Sequence, residues 1–317
     1  MEDLKEWQLK IIEMTKDNND KLINKMKTVN SLSGGKTSSY IAANYPADYN
    51  VFALVRTDDK NCLFPDAKVR QMVSDRLGTE FIGTLEDDLI VYTMLDLEQF
   101  IGQKIHWVTG KTFDEVVLRG KRDNGDKVVY IPNPTMRFCT TEMKLQPIFE
   151  WWLKEIKYPA EFRIGFRANE IKRANTMIDK TNENGLCEFH HIIGKTKTGS
   201  RNKWGYIEWQ KPAFPLIKDA IFKDNIEEFW KDKPVRFAVH NNCIGCFHRE
   251  IHFLKYMSNK HPNKFQWFVD REKESRKVYN DRSWNLKVSY EKIKQYHLQL
   301  DLFDEDFNDC DSGYCGL

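Results

Sequence analysis

The stretch Val29-Asn30-Ser31-Leu32-Ser33-Gly34-Gly35-Lys36-Thr37-Ser38-Ser39-Tyr40 decides the fold, because it places an apolar strand, a glycine turn and the start of a helix in succession. Glycine tolerates φ > 0 and lets backbone approach a ligand closely, so successive N–H groups of such a turn can face an anion. The pattern predicts a phosphate-binding cradle, with Lys36 as its point charge and Thr37 or Ser38 as the helix cap. An ordinary strand-to-helix turn is the alternative. The predicted cradle consists of Ser33, Gly34, Gly35, Lys36, Thr37 and Ser38.

The segments that follow alternate between helix and strand. Residues 36–44 favour a helix, 51–55 an apolar second strand, 65–77 another helix and 80–84 a third strand. Strand-helix-strand units imply parallel pairing, so the sequence predicts an α/β fold with a doubly wound, mainly parallel sheet. The predicted units are an amphipathic N-terminal helix (1–27), a nucleotide-binding α/β domain (28–235) and a helical C-terminal region with the remaining cysteine motifs (236–317).

Composition is that of an ordinary globular protein. The 317 residues are 41% hydrophobic and 30% charged, which suffices for a real core, and the net charge of +2 neither demands nor excludes a nucleic-acid partner. No run approaches the roughly 18 apolar residues of a membrane span, and the first residues do not resemble a signal peptide. We therefore expect a cytoplasmic protein with no membrane partner, whose seven cysteines stay reduced unless a metal or catalysis uses them.

Two further positions are candidates for the same site. Ligands of open α/β sheets lie outside the carboxyl ends of strands, so the backbone around Asp58, just after the second strand, should meet the base of a nucleotide. Cys139 lies just before a predicted helix, between Arg137 and Lys144. A helix N-terminus and nearby cations favour the thiolate, which predicts a depressed pKa for this thiol. The alternative is a buried, inert cysteine.

These motifs resemble a known family. The Ser-Gly-Gly loop is similar to that of the PP-loop superfamily, the adenine nucleotide α-hydrolases, which grip the pyrophosphate of ATP. The order R-x-C-x-x-x-x-K-x-x-P at 137–147, then G-x-R-x-x-E-x-x-R at 165–173, resembles the phosphoadenosine phosphosulfate (PAPS) reductase-like family. The resemblance implies an adenine nucleotide, either ATP or an adenylyl sulfate. It also implies that Gly165 ends a strand and that Arg167 and Arg173 approach the anionic end of the nucleotide. Arg137, Lys144 and Gly165 are expected to bind the nucleotide as well.

One departure from the family concerns the magnesium ion. Thr37 stands where an aspartate is common in this loop, which weakens the expected handling of Mg²⁺.

Arg167 and Arg173 are six positions apart, so they share a helix face only if the helix begins after Arg167, and a loop position for Arg167 is expected.

A C-x-x-C motif provides the second chemical signal. The two-residue gap between Cys243 and Cys246 lets both thiolates bind one metal ion. The family resemblance adds Cys139, and it implies a [4Fe-4S] cluster. From the residues alone, Zn²⁺ or a bare redox pair stays open. The candidates for a fourth ligand are Cys315, Cys310, His248 and Cys62.

The C-terminal tail allows two interpretations of Cys315. Cys315-Gly316-Leu317 resembles the terminus of adenylyl-sulfate reductases, whose cysteine is the nucleophile, although Tyr314 replaces a glutamate there and the final histidine is missing. Cys315 is therefore either a nucleophile or the fourth metal ligand. Acidic neighbours raise the pKa of a thiol, which disfavours the free nucleophile.

A segment at 195–209 interleaves cations with aromatic residues. It could hold phosphates and stack bases, or it could be a solvated hairpin, and composition favours the second.

Two reactions and one non-catalytic role fit these features. In the first reaction, Cys315 attacks the sulfur of an adenylyl sulfate, and a thioredoxin-like reductant then releases sulfite. In the second, ATP adenylates an oxygen of a substrate, such as a nucleic acid, and sulfur displaces AMP. Lys36 and Arg167 are expected to act on the nucleotide in either case. The alternative is a nucleotide- or nucleic-acid-binding module with a structural zinc.

Overall fold

The structure is a computed structural model that describes residues 26–121, 125–196 and 201–296. The predicted N-terminal helix lies outside these residues, except for the end of its range. Cys310 and Cys315 also lie outside them. No helix among the described residues has both the length and the apolar character needed to cross a membrane.

The described part of the chain is built on a six-stranded, mostly parallel sheet with the order β3-β2-β1-β6-β8-β7. Only β7 runs antiparallel, against β8. A separate antiparallel pair is formed by β4 and β5. The strands are β1 (Thr28–Leu32), β2 (Tyr49–Ala53), β3 (Ile105–Val108), β4 (Gly120–Lys121), β5 (Lys127–Val128), β6 (Ala160–Arg163), β7 (Cys187–Lys195) and β8 (Asn202–Ala213).

Helices connect the parallel strands and cover the sheet. A short 3-10 helix spans Lys60–Cys62, and a π-helical segment at Thr141–Leu145 joins two helices end to end. The α-helices are α1 (Lys36–Asn44), α2 (Ala67–Leu77), α3 (Leu89–Ile101), α4 (Phe113–Val117), α5 (Phe138–Thr140), α6 (Gln146–Glu155), α7 (Ile171–Ile178), α8 (Pro215–Lys218), α9 (Lys223–Trp230), α10 (Ile251–Lys260), α11 (Pro262–Arg276) and α12 (Tyr290–Gln295).

Alternating residues of the strands belong to two separate hydrophobic cores, one on each face of the sheet. Leu32 and Phe52 pack with α1, α3 and α9 on one face. Val29 in β1 and Val51 in β2 pack with α6 on the other face. Each lies an odd number of positions from the residue of the first core in its own strand. Because successive strand residues point to opposite faces, this alternation buries the sheet on both sides, as parallel sheets require.

The strand order creates a switch point between β1 and β6. The chain moves outward from β1 through β2 to β3, and then returns to place β6 and β8 on the other side of β1. Ligands of open α/β sheets bind where the loops after two such strands diverge. The loop after β1 contains the predicted cradle, and the loop after β6 contains Gly165 and Arg167.

The predicted strand at 80–84 is wrong. Its residues form only isolated bridges, from Gly83 to Thr57 and to Leu63, and the strand that pairs with β2 is β3. A Cβ atom at Gly83 would lie 1.9 Å from the Cys62 carbonyl oxygen, so this segment packs directly against the backbone at Cys62 and does not extend the sheet. The helix predicted at 36–44 is confirmed with the same bounds.

The C-terminal helices share a core with the α/β part. Val55, Leu85 and Phe113 belong to the same buried cluster as residues of α10, α11 and α12. Inside this cluster, the buried Glu272 carboxylate accepts hydrogen bonds from the backbone N–H groups of Trp284 (3.2 Å) and Tyr290 (2.8 Å). The Tyr290 hydroxyl donates to the Gly245 carbonyl oxygen at 3.0 Å, and so supports the C-x-x-C loop.

Candidate functional site

The loop after β1 is a tight turn that Ser38 holds in shape. The Ser38 hydroxyl accepts a hydrogen bond from the Ser33 backbone N–H at 3.1 Å and donates to the Gly35 carbonyl oxygen at 3.2 Å. Gly34 has φ +83°, and a Cβ atom there would lie 2.5 Å from Cγ2 of Ile90 at the start of α3. Both the backbone conformation and the space therefore require glycine.

The N-terminus of α1 has no side-chain cap among the described residues, so the predicted cap by Thr37 or Ser38 is wrong. Gly35 occupies the N-cap position, and Thr37 and Ser38 are buried inside the first turn. The first N–H groups of an α-helix lack intrahelical partners, and they favour negative charge. The turn thus leads into a helix end that can accept an anion.

The loop after β6 lies against the start of α1, and we call the region where it meets the loop after β1 the crevice. A Cβ atom at Gly165 would lie 3.3 Å from Cγ2 of Thr37 and 3.5 Å from the backbone nitrogen of Ser38. The two loops therefore touch at the start of α1, which places Gly165 beside the predicted cradle.

The two arginines of the family motif meet at one carboxylate. Arg167 lies in the loop before α7, as predicted, and its Nε atom is 3.1 Å from Glu170 Oε2. Arg173, on α7, forms an ion pair with the other oxygen of Glu170, and its guanidinium lies 4.5 Å from the centre of the Phe166 ring. Glu170 therefore holds both guanidinium groups together, Arg167 from the loop and Arg173 from the first turn of α7.

The Lys36 side chain is held by α9. Its ammonium group forms an ion pair with Glu227, and its carbonyl oxygen accepts a hydrogen bond from Trp230 Nε1 at 3.0 Å. The side chain is about one-third exposed, so a polyanion can compete with Glu227 for it.

Asp58 belongs to a hydrogen-bonded network between the loop after β2 and α4. Its carboxylate accepts from the Thr112 hydroxyl at 2.7 Å, and its backbone N–H donates to Asp114 at 2.9 Å. Asp114 in turn accepts from the Trp267 indole at 2.8 Å. This network fixes the loop after β2, the expected base-binding edge, against the C-terminal helices.

Three of the predicted metal ligands line one cavity of about 50 Å³. Cys139 lines the cavity from α5, and Cys243 and Cys246 line it from the loop before α10. Arg137 is the N-cap residue of α5. Gly245 is required in this loop, because a Cβ atom would lie 2.5 Å from the Phe268 ring. The other lining residues include Lys144, Asn242, His248, Phe113, Phe247, Phe268 and Trp284.

The expected depressed pKa of Cys139 is wrong. Burial raises the pKa of the Cys139 thiol to about 12, and the nearby Cys246 adds to the increase. Burial also raises the pKa of Cys246, and it raises that of Cys243 well above the ordinary value. The cost of burying the charged thiolate exceeds the stabilisation by Lys144, so without a bound cation these thiols stay protonated.

The donor set in the cavity fits a soft metal centre. Three thiols and the His248 imidazole are ligands that Zn²⁺ or an iron–sulfur cluster accepts. Within the described ranges, no group of three His, Cys, Asp or Glu side chains is already close enough to hold an ion. Binding would therefore require rotation of these side chains and loss of their protons. Cys62, another candidate fourth ligand, is buried elsewhere in the same hydrophobic cluster and does not line the cavity.

Lys144, which is partly exposed, forms an ion pair with the buried Glu86 beside the thiols. Lys144 Nζ lies 2.9 Å from Glu86 Oε1, and the Glu86 side chain is 1% exposed. Burial opposes the charge on Lys144, but the Glu86 carboxylate outweighs it and the pKa of Lys144 is raised. The other carboxylate oxygen, Oε2, is buried with no hydrogen-bond partner among the described residues.

Sequence reasoning missed two residues that connect the parts of the site. Asn241 donates from its side-chain amide to the Ser33 hydroxyl at 3.2 Å, and it precedes Cys243 by two positions. Glu86 is the first residue of an acidic triplet after Leu85. The available signals were the polar pair directly before the C-x-x-C motif and the acidic triplet before α3. Neither pattern indicates which residue the side chain contacts, because those contacts form only in the folded chain.

Comparison with protein-family models finds no match for this chain, and comparison with curated proteins finds none either. The function is therefore inferred from the motifs and from the geometry of the crevice and the cavity.

We expect Gly34→Ala to destabilise the protein by about 2–5 kcal/mol, because the alanine would combine left-handed backbone strain with a clash against Ile90. Gly78→Ala is the matched control, since Gly78 also has positive φ (+65°) but a Cβ atom there would meet nothing within 4 Å. It should cost only about 1–2 kcal/mol. Urea unfolding of both variants measures the difference. Equal losses would show that Ile90 does not constrain the turn.

Proposed function

We propose that this protein is an ATP-dependent enzyme of sulfur chemistry, similar to the PAPS reductase-like members of the PP-loop superfamily. The single observation that carries the proposal is the contact between Asn241 and Ser33. Asn241 precedes Cys243 by two residues, and two residues span at most about 7 Å of chain. The C-x-x-C loop is thus attached to the predicted phosphate cradle, as a site that couples a nucleotide to sulfur requires.

The proposed nucleotide site uses residues from both loops of the crevice. Backbone N–H groups at the start of α1 would hold the pyrophosphate of ATP, with Lys36 released from Glu227 to add its charge. Arg167 and Arg173, oriented by Glu170, would contact phosphate oxygens from the facing loop. The loop around Asp58 would meet the adenine. Without the aspartate of the family loop, any Mg²⁺ would depend mainly on the phosphates.

The proposed reaction has two displacements. An oxygen of the acceptor attacks the α-phosphorus of ATP and expels pyrophosphate, which leaves the acceptor adenylated. A sulfur nucleophile then attacks the activated carbon or phosphorus, and AMP departs with the oxygen. A zinc ion or [4Fe-4S] cluster on Cys139, Cys243 and Cys246 would keep sulfur ligands deprotonated in the cavity. The aromatic lining of the cavity would limit access of water to the activated acceptor.

Product analysis tests this function directly. The purified protein, prepared anaerobically with iron and sulfide or with zinc, is incubated with ATP, a sulfide source and an acceptor such as a nucleic acid. Formation of AMP and pyrophosphate supports the proposal. Release of sulfite from an adenylyl sulfate in the presence of thioredoxin would replace it with the reductive reaction through Cys315. Binding of ATP without any product would leave the non-catalytic nucleotide-binding role.

Lys36→Ala should weaken ATP binding by about 1.5–3 kcal/mol, the range for hydrogen bonds to charged groups, without unfolding the protein. Glu227→Gln is the matched variant, because it removes the carboxylate that competes for Lys36. It should bind ATP at least as tightly as the parent chain. Calorimetric titration of the three proteins measures both effects. An unchanged dissociation constant in Lys36→Ala would mean that Lys36 only joins α1 to α9.

Metal content should depend on three cysteines and not on two others. Cys139→Ser, Cys243→Ser and Cys246→Ser should each abolish binding of iron or zinc, because each thiol lines the cavity. Cys62→Ser and Cys187→Ser are the controls and should retain it, since neither residue lines that cavity. Elemental analysis provides the measurement, and absorbance near 400 nm distinguishes a cluster from zinc. Full metal content in Cys139→Ser would limit the site to the C-x-x-C loop.

The fourth ligand is decided by a second pair of variants. His248→Asn should reduce metal content if the imidazole that lines the cavity is the ligand. Cys315→Ser should reduce it if the tail supplies the ligand.

A further inference from the structure

A cavity of about 280 Å³ opens between the end of α11 and the residues that lead into and form α12. Three cationic side chains line it, and no Asp or Glu stands among its described lining residues. We call this cavity the basic pocket. Its lining residues are Arg276, Lys287, Val288, Ser289, Lys292 and Tyr296.

The two lysines of the basic pocket keep their charge available. Lys287 and Lys292 are exposed, and neither ammonium group forms an ion pair with a carboxylate in the described part of the chain. Glu291, the sequence neighbour of Lys292, pairs with Lys273 instead, at 2.6 Å. An anionic group that enters the pocket would therefore not have to displace a carboxylate from these lysines.

Arg276 supplies the third cation of the pocket. Its Nε atom donates a hydrogen bond to the Arg282 carbonyl oxygen at 2.9 Å, which orients the guanidinium group. Its charge also acts on the buried carboxylate of Glu272. The positive charge left for a ligand therefore comes mainly from the two lysines.

Apolar side chains lie beside these cations. Leu286 is 61% exposed and directly precedes Lys287, and Tyr296 is 40% exposed at the end of α12. Val288 is partly buried and packs against the core that the C-terminal helices share. An occupant of the basic pocket can thus gain from apolar contact as well as from charge.

The sequence that follows Tyr296 has the complementary composition. Residues 297–317 lie outside the described part of the chain and contain neither Lys nor Arg. We call residues 301–311 the acidic tail, in which Leu302, Phe303 and Phe307 stand among the acids. Its acidic residues are Asp301, Asp304, Glu305, Asp306, Asp309 and Asp311.

We propose that the acidic tail binds in the basic pocket of its own chain. Asp301 is five positions past Tyr296, which corresponds to at most about 18 Å of chain. Such a short connection to the lining of the pocket holds the tail at an effective concentration of about the millimolar range. A nucleic acid lacks this advantage, and its phosphates would match the lysines but not the exposed Leu286. The tail matches both.

The basic pocket adjoins the segment that supports the C-x-x-C loop. Ser289 lines the pocket, and the next residue, Tyr290, donates from its hydroxyl to the Gly245 carbonyl oxygen at 3.0 Å. The pocket and the C-x-x-C loop therefore share the start of α12. The proposal needs neither a nucleotide nor a metal, so it does not depend on the proposed function.

Carbodiimide crosslinking of the full chain tests the proposal, because it joins a lysine amine to a carboxylate that it contacts. Peptide mass spectrometry should find Lys287 and Lys292 joined to the acidic tail. In about 1 M salt, where charges are screened beyond about 3 Å, the yield should fall about fivefold. Lys277 is the control, since it is exposed and follows Arg276 but does not line the pocket. It should give little crosslinking to the tail.

A pair of surface variants shows whether the lysines act together. Lys287→Gln should lower the yield of crosslinks between Lys292 and the tail about threefold, the size expected for one exposed ion pair. Lys277→Gln should leave that yield unchanged. Equal yields in the two variants would overturn the proposal, and so would equal crosslinking of Lys277 and Lys292 to the tail in the parent chain.

An equal mixture of unlabelled and nitrogen-15-labelled protein identifies the chain that supplies the tail. Crosslinks between peptides of the same isotope only support the proposal, whereas mixed pairs would assign the pocket to the tail of a second copy. Absence of tail crosslinks at low salt would overturn it. Oligo(dT) binding that is lost in Lys287→Gln/Lys292→Gln, without tail crosslinks in the parent, would assign the pocket to nucleic acid instead.

Discussion

The site depends on an acidic triplet, Glu86-Asp87-Asp88, that is paired with basic residues further along the chain. Glu86 pairs with Lys144, Asp87 with His261 and Lys260, and Asp88 with Lys264. Burial opposes the charge on Asp87, but the hydrogen bond from His261 and the charge of Lys260 outweigh it and lower the pKa of this carboxyl. Its ionised form therefore supports the fold at neutral pH and loses this effect as the pH falls. Removing one partner from a buried pair leaves an uncompensated charge, so the stability of this segment depends on both members of each pair.

The position of this triplet explains how two chemical features come together. It directly precedes α3, whose Ile90 contacts Gly34 of the cradle, and it follows Leu85, whose carbonyl oxygen accepts from the Ile244 N–H of the C-x-x-C loop at 2.8 Å. The same short segment therefore contacts the turn that would hold phosphate and the loop that carries two thiols. A change in its ion pairs would move both, which gives the predicted cradle and the C-x-x-C loop a shared mechanical support.

The sequence predicted what local rules determine. The helix at 36–44 and the loop position of Arg167 follow from periodicity and motif spacing, and both are present. The strand at 80–84 failed because Gly83 packs against the Cys62 backbone, a tertiary constraint with no local signature. The prediction of a depressed pKa for Cys139 was wrong for a similar reason, because the effect of burial outweighs that of the neighbouring charges. Asn241 and Glu86 acquire their contacts only when distant segments meet.

The charge balance of the cavity restricts what can bind in it. Lys144 is already matched by Glu86, so ionising Cys139, Cys243 and Cys246 would leave three negative charges in a buried, aromatic-lined space. Their raised pKa values are the consequence. A cationic centre reverses this balance, because a bound metal deprotonates its thiol ligands outright. Any metal that enters the cavity must therefore displace the protons of these thiols, which makes its binding depend on pH. The cavity lies next to the loop that Asn241 joins to the predicted cradle.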